Sequence, residues 1–435
     1  MRVIYLALGL LVLLGASIQN RLPALSGQSL QTNNAIIERS AATIPPTQPI
    51  TITQSALEIV ASNTISGDGG NAWGGHQTRI VRTLDGVFTA YMVQGSDYLT
   101  KEWRLAWRQE DGTWPVVAQG IGGREPVNLL ASPDGTLHVI GWPGGIGTIW
   151  SGKPISHSLQ MTASLIPGVA EGNWPYGSAG IDAAGNLCVV NTNEIYQNDQ
   201  TVGGAYDWSC FVAAANKWVP KRSEFDYRYA YTYVFPRSNG ELSLVATRDV
   251  RWEQLGYVKP IDAFDYVFNA FRYWHTADLQ SEQLQVLNSA EEPPTAAYPD
   301  VFLDAQMDAY LDTQERMHIL YVRRGASTSG AQQIWRRMVA ANGATLLDEK
   351  LPDEVGYQLR VFEDTQGRIY LLSGSAAKIF PLSQDGMKIG VPTAIDLGGY
   401  TLAYTGPFLA APRTGTPISN KVDVVFPSEY EQQWV

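Results

Sequence analysis

The sequence has few charged residues, few cysteines and few histidines for its length of 435 residues. Asp, Glu, Lys and Arg make up 17% of the chain, compared with about 25% in an average soluble domain. Two cysteines exclude a disulfide-rich scaffold and a zinc site built from two Cys pairs. The five histidines show no close metal-ligand spacing, and we predict no metal or cofactor. The net charge of −11 argues against a nucleic-acid partner, because phosphate binding requires a basic surface.

Long hydrophobic runs are also scarce, and the one that stands out lies at the N-terminus. Residues 3–16 are apolar, follow Met1 and Arg2, and end in small residues, which is typical of a secretory signal. As a helix this run would span about 21 Å, less than the roughly 30 Å of a bilayer core. We therefore predict a signal peptide or signal anchor at residues 1–19 and a flexible linker at residues 20–50. The body, residues 51–435, is expected outside the cytoplasm, either secreted or tethered to a membrane through residues 3–16.

Helical periodicity is nearly absent after residue 50, where short alternating strands are separated by Gly, Asp and Asn turns. One turn followed by an apolar strand recurs along the chain, with markers at Gly86, Gly135, Gly185, Gly240, Glu315, Gly367 and Asn420. The marker spacings are 49, 50, 55, 75, 52 and 53 residues, so one repeat contains an insertion. A period of about 50 residues with several strands is typical of a β-propeller. We predict an all-β, seven-bladed β-propeller with four-stranded blades; the alternative is two β-sandwiches.

The last predicted blade has too few strands after its marker, because the sequence ends at Val435. Residues 51–61 form an apolar segment without another partner and can supply the missing strand. Pairing the two ends of the body in one blade would remove two free sheet edges, which are prone to aggregation. We therefore predict that the N-terminal strand closes the ring.

The long connections are predicted to lie on one face of the ring, at residues 62–77, 166–177, 193–206, 248–269, 289–306 and 397–407. Candidate binding residues on this loop-rich face are His76, Arg124, Glu125, Trp174, Tyr176, Arg228, Tyr229, Arg248, Tyr357 and Tyr400. Aromatic rings beside arginines and carboxylates suit a sugar, because rings stack on sugar rings and an arginine can bind a carboxylate in bidentate fashion. The alternative is that these residues only pack the mouth of a propeller channel.

Two segments resemble the sialidase-like (BNR-repeat) propellers. Residues 107–114 are similar to a degenerate Asp-box, and Arg79 with Ile80 is similar to the opening Arg-Ile strand of that superfamily. Ser383 to Gly386 is a second, weaker echo of the Asp-box. The resemblance implies that Arg79 binds a substrate carboxylate and that Asp97 is the acid. It further implies additional arginines at Arg228 and at Arg323 or Arg324, and a nucleophile at Tyr357 or Tyr400.

Propeller polysaccharide lyases of related architecture imply a second catalytic set in the same chain. The catalytic residues of such a lyase would be His76, Tyr229 and Arg228. The arginine would neutralise the uronate carboxylate, and His76 or Tyr229 would take the α-proton. We therefore expect an exported protein that binds an acidic glycan or a cell-surface polysaccharide. In one alternative the protein also cleaves this ligand. The other alternative is a non-catalytic binding, adhesion or protein-interaction propeller. The sequence leaves catalysis and oligomeric state open.

The two cysteines are predicted to lie opposite each other in neighbouring strands of the third repeat. Cys188 falls in its second strand and Cys210 in its third. In an exported protein they can form a disulfide, and the alternative is two buried thiols.

Overall fold

The strands of this chain form antiparallel sheets, most of them with four strands in sequence order. The computed structural model describes residues 49–65, 69–97, 99–169, 176–198, 200–259, 265–292, 303–323, 333–403, 406–428 and 432–435; for residues 303–307 it describes only the backbone. Helical structure within these ranges is confined to short 3₁₀ turns at Pro143–Gly145, Ala213–Ala215, Trp252–Leu255 and Asp353–Val355. None of the helices described is long and apolar enough to cross a membrane.

The first three sheets follow the chain without interruption. Sheet 1 contains β1 (Ile80–Thr83), β2 (Gly86–Val93), β3 (Lys101–Trp107) and β4 (Val116–Gly123). Sheet 2 contains β5 (Asn128–Ala131), β6 (Leu137–Gly141), β7 (Thr148–Gly152) and β8 (Thr162–Leu165). Sheet 3 contains β9 (Ser178–Ile181), β10 (Leu187–Gln197), β11 (Gln200–Val212) and β12 (Lys217–Phe225).

Sheet 4 contains the predicted insertion between its second and third strands. Its strands are β13 (Tyr229–Pro236), β14 (Leu242–Arg248), β17 (Ala270–Thr276) and β18 (Gln285–Glu291). The insertion forms a small two-stranded sheet of β15 (Val250–Arg251) and β16 (Tyr266–Val267). The marker spacing of 75 residues is therefore explained by this insertion between β14 and β17.

Two further four-stranded sheets and a final strand pair follow. Sheet 5 contains β19 (Leu303–Leu311), β20 (Met317–Arg323), β21 (Gln333–Val339) and β22 (Thr345–Lys350). Sheet 6 contains β23 (Leu359–Glu363), β24 (Ile369–Ser373), β25 (Lys378–Pro381) and β26 (Thr393–Ala394). The last pair is β27 (Phe408–Leu409) with β28 (Val424–Val425).

Consecutive sheets pack face to face through apolar side chains. One cluster joins sheets 1 and 2, and others join sheets 2 and 3, 3 and 4, 4 and 5, and 5 and 6. A further cluster joins sheet 1 to Val60, Phe408 and Trp434. This serial packing of four-stranded antiparallel sheets is a β-propeller-type architecture, so the all-β class and the four-stranded sheets are confirmed.

The two ends of the body meet beside the last strand pair. Trp434 forms antiparallel bridges with Pro427 on one side and Ala61 on the other. The Val60 amide donates to the Trp434 carbonyl at 2.8 Å, and the Trp434 indole donates to Oγ1 of Thr89 at 2.8 Å. Residues 60 and 61 therefore extend the pairing that starts at β27 and β28.

The repeated turn has a physical signature that explains its sequence. The marker glycines of the first four turns and Gly367 all have positive φ, between 73° and 133°. Glu315 occupies the same position in sheet 5 with φ 61°, a conformation that costs a non-glycine residue more. In three of these turns an aspartate, Asp182, Asp312 or Asp364, accepts amide hydrogen bonds from residues two and four positions later. Aspartate caps and left-handed residues together make the turns tight.

One predicted loop is wrong. Residues 193–206 were expected as a long connection, but β10 and β11 extend through almost all of them and pair as far as Gln197 and Gln200. The strand character of this hairpin is hidden in the sequence, because the outer ends of the two strands are largely solvent-exposed and carry polar and small residues without a clear alternation. The same two strands place Cys188 opposite Cys210, and the structure joins them in a disulfide.

Candidate functional site

Aromatic side chains from three connections and one strand meet on the loop-rich face. The segment before β1 supplies Trp73, the segment before β9 supplies Tyr176, and β13 supplies Tyr231. The centroid of the Tyr176 ring lies 6.4 Å from that of Trp73 and 4.9 Å from that of Tyr231. Phe268 and Tyr266, from the insertion in sheet 4, complete the group. We call these five residues the aromatic cluster.

The cluster is only partly shielded from solvent. Tyr231 and Phe268 are buried, whereas Trp73, Tyr176 and Tyr266 keep part of their surface exposed. Tyr231 has φ 58° and Tyr176 has φ 33°, which is uncommon for bulky residues. Strained backbone of this kind persists where surrounding contacts fix it, and it is frequent at functional sites.

Arg228 lies between two rings of the cluster. Its guanidinium carbon is 5.4 Å from the Tyr176 centroid and 5.2 Å from the Tyr266 centroid. The same side chain pairs with Asp249 at 2.5 Å and with Glu194 at 3.5 Å. Burial alone would lower the pKa of Arg228, but the charges of Asp249 and Glu194 outweigh burial and raise it. Burial is also the main cause that raises the pKa of Asp249, and Arg228 opposes that rise. Arg228 is therefore a buried, internally paired cation.

His76 contacts the cluster through Tyr231. Its ring meets that of Tyr231 edge-on at 5.5 Å, and the side chain is completely buried. Burial, reinforced by the positive charges of Arg413 and Arg79, holds the pKa of His76 well below its ordinary value, although the nearby Gly177 backbone opposes this slightly. Neither ring nitrogen forms a hydrogen bond of normal geometry with the described residues. His76 is therefore held in its neutral form, and its burial opposes protonation.

A second ion pair borders the cluster on the Trp73 side. Arg124 pairs with the adjacent Glu125, and both side chains are buried. The Arg124 guanidinium carbon lies 5.8 Å from the Trp73 ring, and Lys101 donates to the Arg124 carbonyl at 3.0 Å. The predicted pair thus lies beside the aromatic cluster, where it fixes the connection between sheets 1 and 2.

Tyr229 and Arg248 lie away from the cluster, although their neighbours Arg228 and Asp249 form the ion pair beside it. Successive side chains of a strand point to opposite faces of its sheet. Tyr229 accordingly packs edge-on against Trp274 at 4.9 Å, inside the core between sheets 3 and 4. Burial is the main cause that raises its pKa. Arg248 pairs with Glu291 at 2.5 Å and lies over the Tyr227 ring at 4.6 Å.

The remaining predicted residues are dispersed. Asp97 is exposed, and a hydrogen bond from the Leu99 amide is the main cause that lowers its pKa. Tyr357 is 53% exposed in the connection before β23, and Tyr400 packs on Phe426 at 6.2 Å. No hydrogen bond, ion pair or ring contact among the described residues links Asp97 or Tyr357 to the aromatic cluster. Trp174 and Arg324 lie outside the described residues.

Arg79 lies in a separate place, at a small cavity near the middle of the fold. The cavity has a volume of about 20 Å³, and its lining includes Arg79, Asp308, Arg360, Phe408 and Arg413. Arg79 is fully buried, and its Nη2 donates to the Trp73 carbonyl at 2.7 Å. The predicted Arg79 thus contacts the aromatic cluster through the backbone carbonyl of Trp73.

Sequence reasoning missed several residues of both places. Trp73, Tyr231 and Glu194 belong to the cluster or to its ion pairs, and Arg360 and Arg413 line the cavity. The alternation of tyrosines at positions 227, 229, 231 and 233 pointed to a strand, but not to which tyrosine faces the cluster. Trp73 stands in a Gly-rich segment, which was itself a usable signal for a binding loop.

The two Asp-box-like segments occupy equivalent turns. Asp111 lies between β3 and β4, where its Oδ1 accepts from the Thr113 amide at 3.0 Å. Asp385 lies between β25 and β26, where its Oδ1 accepts from the Met387 amide at 3.0 Å. Both are third-to-fourth strand turns.

The fold and its site thus define a β-propeller-type protein with an aromatic, ion-paired face. A scan against protein-family models found no match, and a search of curated protein sequences found no significant match. Among solved structures, the polysaccharide lyase Uly1 is similar with a TM-score of 0.50 at 11% identity, covering 89% of this chain and 93% of that one. This likeness extends over nearly the whole of both chains and supports the fold.

Two other solved structures are similar over a smaller part of the chain. The periplasmic gluconolactonase PpgL of Pseudomonas aeruginosa has a TM-score of 0.45 at 12% identity, covering 73% of this chain and 84% of that one. The GH93 α-L-arabinofuranosidase of Fusarium graminearum, solved with arabinobiose, has a TM-score of 0.38 at 11% identity, covering 69% of this chain and 92% of that one.

Proposed function

We propose that this protein is an exported, seven-bladed propeller of the broad sialidase-like type that binds acidic glycans through the aromatic cluster. The main support for this proposal is that three partly exposed rings lie together on the loop-rich face, those of Trp73, Tyr176 and Tyr266. Flat aromatic surfaces of this kind suit the apolar face of a sugar ring. The likeness of the whole fold to a polysaccharide lyase is in keeping with this proposal.

Seven blades follow if the ends of the body form the last one. In this interpretation β27, β28, residues 432–435 and residues 60–61 are its four strands, with Trp434 bridging both neighbours. The apolar cluster that joins Val60, Phe408 and Trp434 to sheet 1 would then close the ring. Closure of this type protects sheet edges that would otherwise be free.

The acidic group of the glycan would be bound by Arg251. Its guanidinium carbon lies 5.7 Å from the Tyr266 ring, and the residue is exposed. Arg228, in contrast, is buried and compensated by two carboxylates, so it positions the rings and does not contact the ligand. An exposed guanidinium beside an aromatic plane can bind a uronate or sialate carboxylate in bidentate fashion.

Binding without cleavage is supported better than catalysis. His76 and Tyr231, two of the groups that could transfer protons, are 0% and 4% exposed. The Asp97 carboxyl, the acid implied by the sialidase resemblance, has a lowered pKa and is ionised at neutral pH. The catalytic alternative is a lyase. A base would then take the proton next to the uronate carboxylate, a carbon–carbon double bond would form, the C–O bond to the leaving sugar would break, and the leaving oxygen would take up a proton from an acid or from water.

Glycan arrays and direct binding assays with acidic polysaccharides and sialosides test the proposal. We expect Trp73→Ala and Arg251→Ala each to weaken binding by about tenfold or more, equivalent to about 1.4 kcal/mol. Arg108→Ala is the matched control, since Arg108 pairs with Glu58 and follows the outer end of β3. Unchanged binding in both cluster variants, or an equal loss in the control, would contradict the assignment of this face.

The same polysaccharides, incubated with the protein, separate binding from cleavage. New reducing ends together with ultraviolet absorbance of a new double bond would indicate a lyase. Reducing ends without absorbance would indicate a hydrolase. Binding with neither signal is the outcome that we expect.

A further inference from the structure

The hairpin of β10 and β11 is longer than the rest of sheet 3. Its strands have 11 and 13 residues, whereas β9 and β12 have 4 and 9. β9 pairs with β10 only up to Val190, and β12 pairs with β11 only from Gly204 onward. Residues 195–198 and 200–203 therefore pair with each other and with no further strand in the described part of the chain. We call these residues the arm.

The base of the arm is fixed beside the aromatic cluster. A Cβ atom at Gly204 would lie 2.3 Å from Cα of Arg228, so only glycine lets β11 pass this close to the backbone of residue 228. Glu194, opposite Gly204, pairs with the Arg228 side chain at 3.5 Å. Oγ1 of Thr192 donates to the Tyr229 carbonyl at 3.1 Å. A close backbone contact, an ion pair and a hydrogen bond thus hold the start of the arm beside Arg228.

The arm carries an exposed aromatic ring, that of Tyr196. The register of the hairpin shifts between Ile195 and Tyr196, which leaves one extra residue on β11. Such a β-bulge bends the strand pair and redirects side chains, and bulges are frequent next to active sites. The Tyr196 hydroxyl donates to Glu194, and 61% of the residue is exposed. The ring is therefore held by a hydrogen bond at one edge, while most of its surface is accessible to a ligand.

Arg228 connects the rings of the cluster to the arm. Its guanidinium carbon lies 5.4 Å from the centroid of Tyr176 and 5.2 Å from that of Tyr266, and its ion pair with Glu194 leads to Tyr196. With Trp73, which adjoins Tyr176, the accessible rings linked in this way are those of Trp73, Tyr176, Tyr266 and Tyr196. The accessible aromatic surface of this face thus extends from the cluster to the arm.

Arg251 lies near both parts of this surface. Its guanidinium carbon is 5.7 Å from the Tyr266 ring. A hydrogen bond to Tyr266 is the main cause that raises the pKa of Arg251, and the charge of Glu194, at the base of the arm, raises it further. A sugar carboxylate bound to Arg251 would therefore have aromatic surface of the cluster and of the arm in its neighbourhood.

We propose that Tyr196 stacks on a further sugar unit, so that this face binds a chain of several sugars and not a single terminal sugar. This inference rests on the proposed function, and it adds the arm to the binding face. A pyranose ring is about as large as a tyrosine ring, so one sugar unit covers one such ring. Rings in the cluster and on the arm are contacted together only by a ligand with several linked units. The acidic sugar at Arg251 would then lie within the chain.

Fragments of defined length test the role of the arm. The probes are disaccharides and octasaccharides of polygalacturonate, alginate, hyaluronan and chondroitin sulfate, with sialyllactose as a terminal acidic sugar. Where a series binds, we expect the octasaccharide to bind about tenfold more tightly than the disaccharide, equivalent to about 1.4 kcal/mol. Tyr196→Ala should weaken octasaccharide binding by about three- to tenfold, the range of one aromatic contact, and leave the disaccharide unchanged. The statistical advantage of a longer chain would persist in this variant, so the loss reports a real contact.

Two further variants serve as controls. Tyr196→Phe should retain the preference for the octasaccharide, because stacking requires the ring and not the hydroxyl. Val286→Ala removes a side chain that is 45% exposed at the start of the outer strand β18, and both fragments should bind to it as to the unchanged protein.

Hydrogen exchange of the unchanged protein gives a second measurement that needs no variant. The octasaccharide should slow exchange of the amides in the arm, and the disaccharide should not. Equal affinity for the two lengths, a preference for sialyllactose, or an arm that no octasaccharide protects would overturn this inference and leave the proposed function intact. Binding of no probe at all would contradict the proposed function itself, and this inference with it.

Discussion

Replacing Arg228 by alanine should destabilise the fold more at neutral pH than at acidic pH. The Arg228 and Asp249 side chains are 4% and 2% exposed, and their charged atoms are 2.5 Å apart. Removing one partner of a buried ion pair leaves the other charge uncompensated, which costs about 3–5 kcal/mol. Glu194, the second carboxylate near Arg228, would increase the repulsion that Asp249 experiences.

The pH dependence follows from the carboxyl of Asp249. Burial already raises its pKa in the folded protein, and Arg228 opposes this rise, so the variant should have a still higher pKa. A carboxyl with a raised folded-state pKa loses stability as the pH climbs from its unfolded value, about 3.9, towards its folded value. The penalty of Arg228→Ala is therefore smallest near pH 4 and fully developed above the folded pKa. The variant also lacks the packing of the guanidinium against the Tyr176 and Tyr266 rings, and this part of the penalty does not vary with pH.

Thermal and urea unfolding at pH 4.5 and pH 8, compared with the unchanged protein, measure this effect. At pH 8 the loss corresponds to a decrease in Tm of about 4–8 °C for a body of this size. The double variant Arg228→Ala/Asp249→Asn should recover part of the loss at pH 8. Arg222→Ala, whose side chain is 45% exposed, should cost less than about 1 kcal/mol at either pH. A loss in Arg228→Ala that is equally small, or identical at both pH values, would refute the argument.

The sequence predicted the sheets better than it predicted the site. Turns built on Asp, Gly and apolar strands obey local rules, so the markers from Gly86 to Gly367 each fall in a first-to-second strand turn. The long hairpin of β10 and β11 was missed because its outer half carries exposed polar residues and small residues without a clear alternation. Local composition therefore predicted a strand wherever one of its faces is buried. It failed to predict the part of a strand that extends beyond the core.

The site depended on tertiary packing that local patterns do not contain. Tyr229 and Tyr231 are two positions apart, yet Tyr229 packs on Trp274 and Tyr231 on His76. The pairing of β13 with β14 is irregular between Ala230 and Tyr233, and this irregularity changes which side chains face the cluster. The resemblance assigned Arg79 to a substrate carboxylate, but its position at a cavity with Arg360 and Arg413 could not be read from one sequence. Pairing of buried charges, such as Arg228 with Asp249, is likewise fixed only by tertiary structure.

Three further predictions concern the disulfide of sheet 3 and the pairing between the two ends of the body. Cys188 and Cys210 are separated by 22 residues, so the double variant Cys188→Ala/Cys210→Ala should lose about 3 kcal/mol of unfolding free energy. Alkylation of native protein followed by intact-mass analysis checks the bond itself, and two modified thiols would contradict it. Trp434→Ala should cost about 3–5 kcal/mol, because the side chain is fully buried and its indole donates to Thr89. If residues 60–61 and Trp434 close one blade, deleting residues 49–62 and replacing Trp434 remove the same interaction, so their unfolding penalties should not add. Penalties that sum fully in the combined variant would show that the two ends stabilise the fold independently, and would contradict closure.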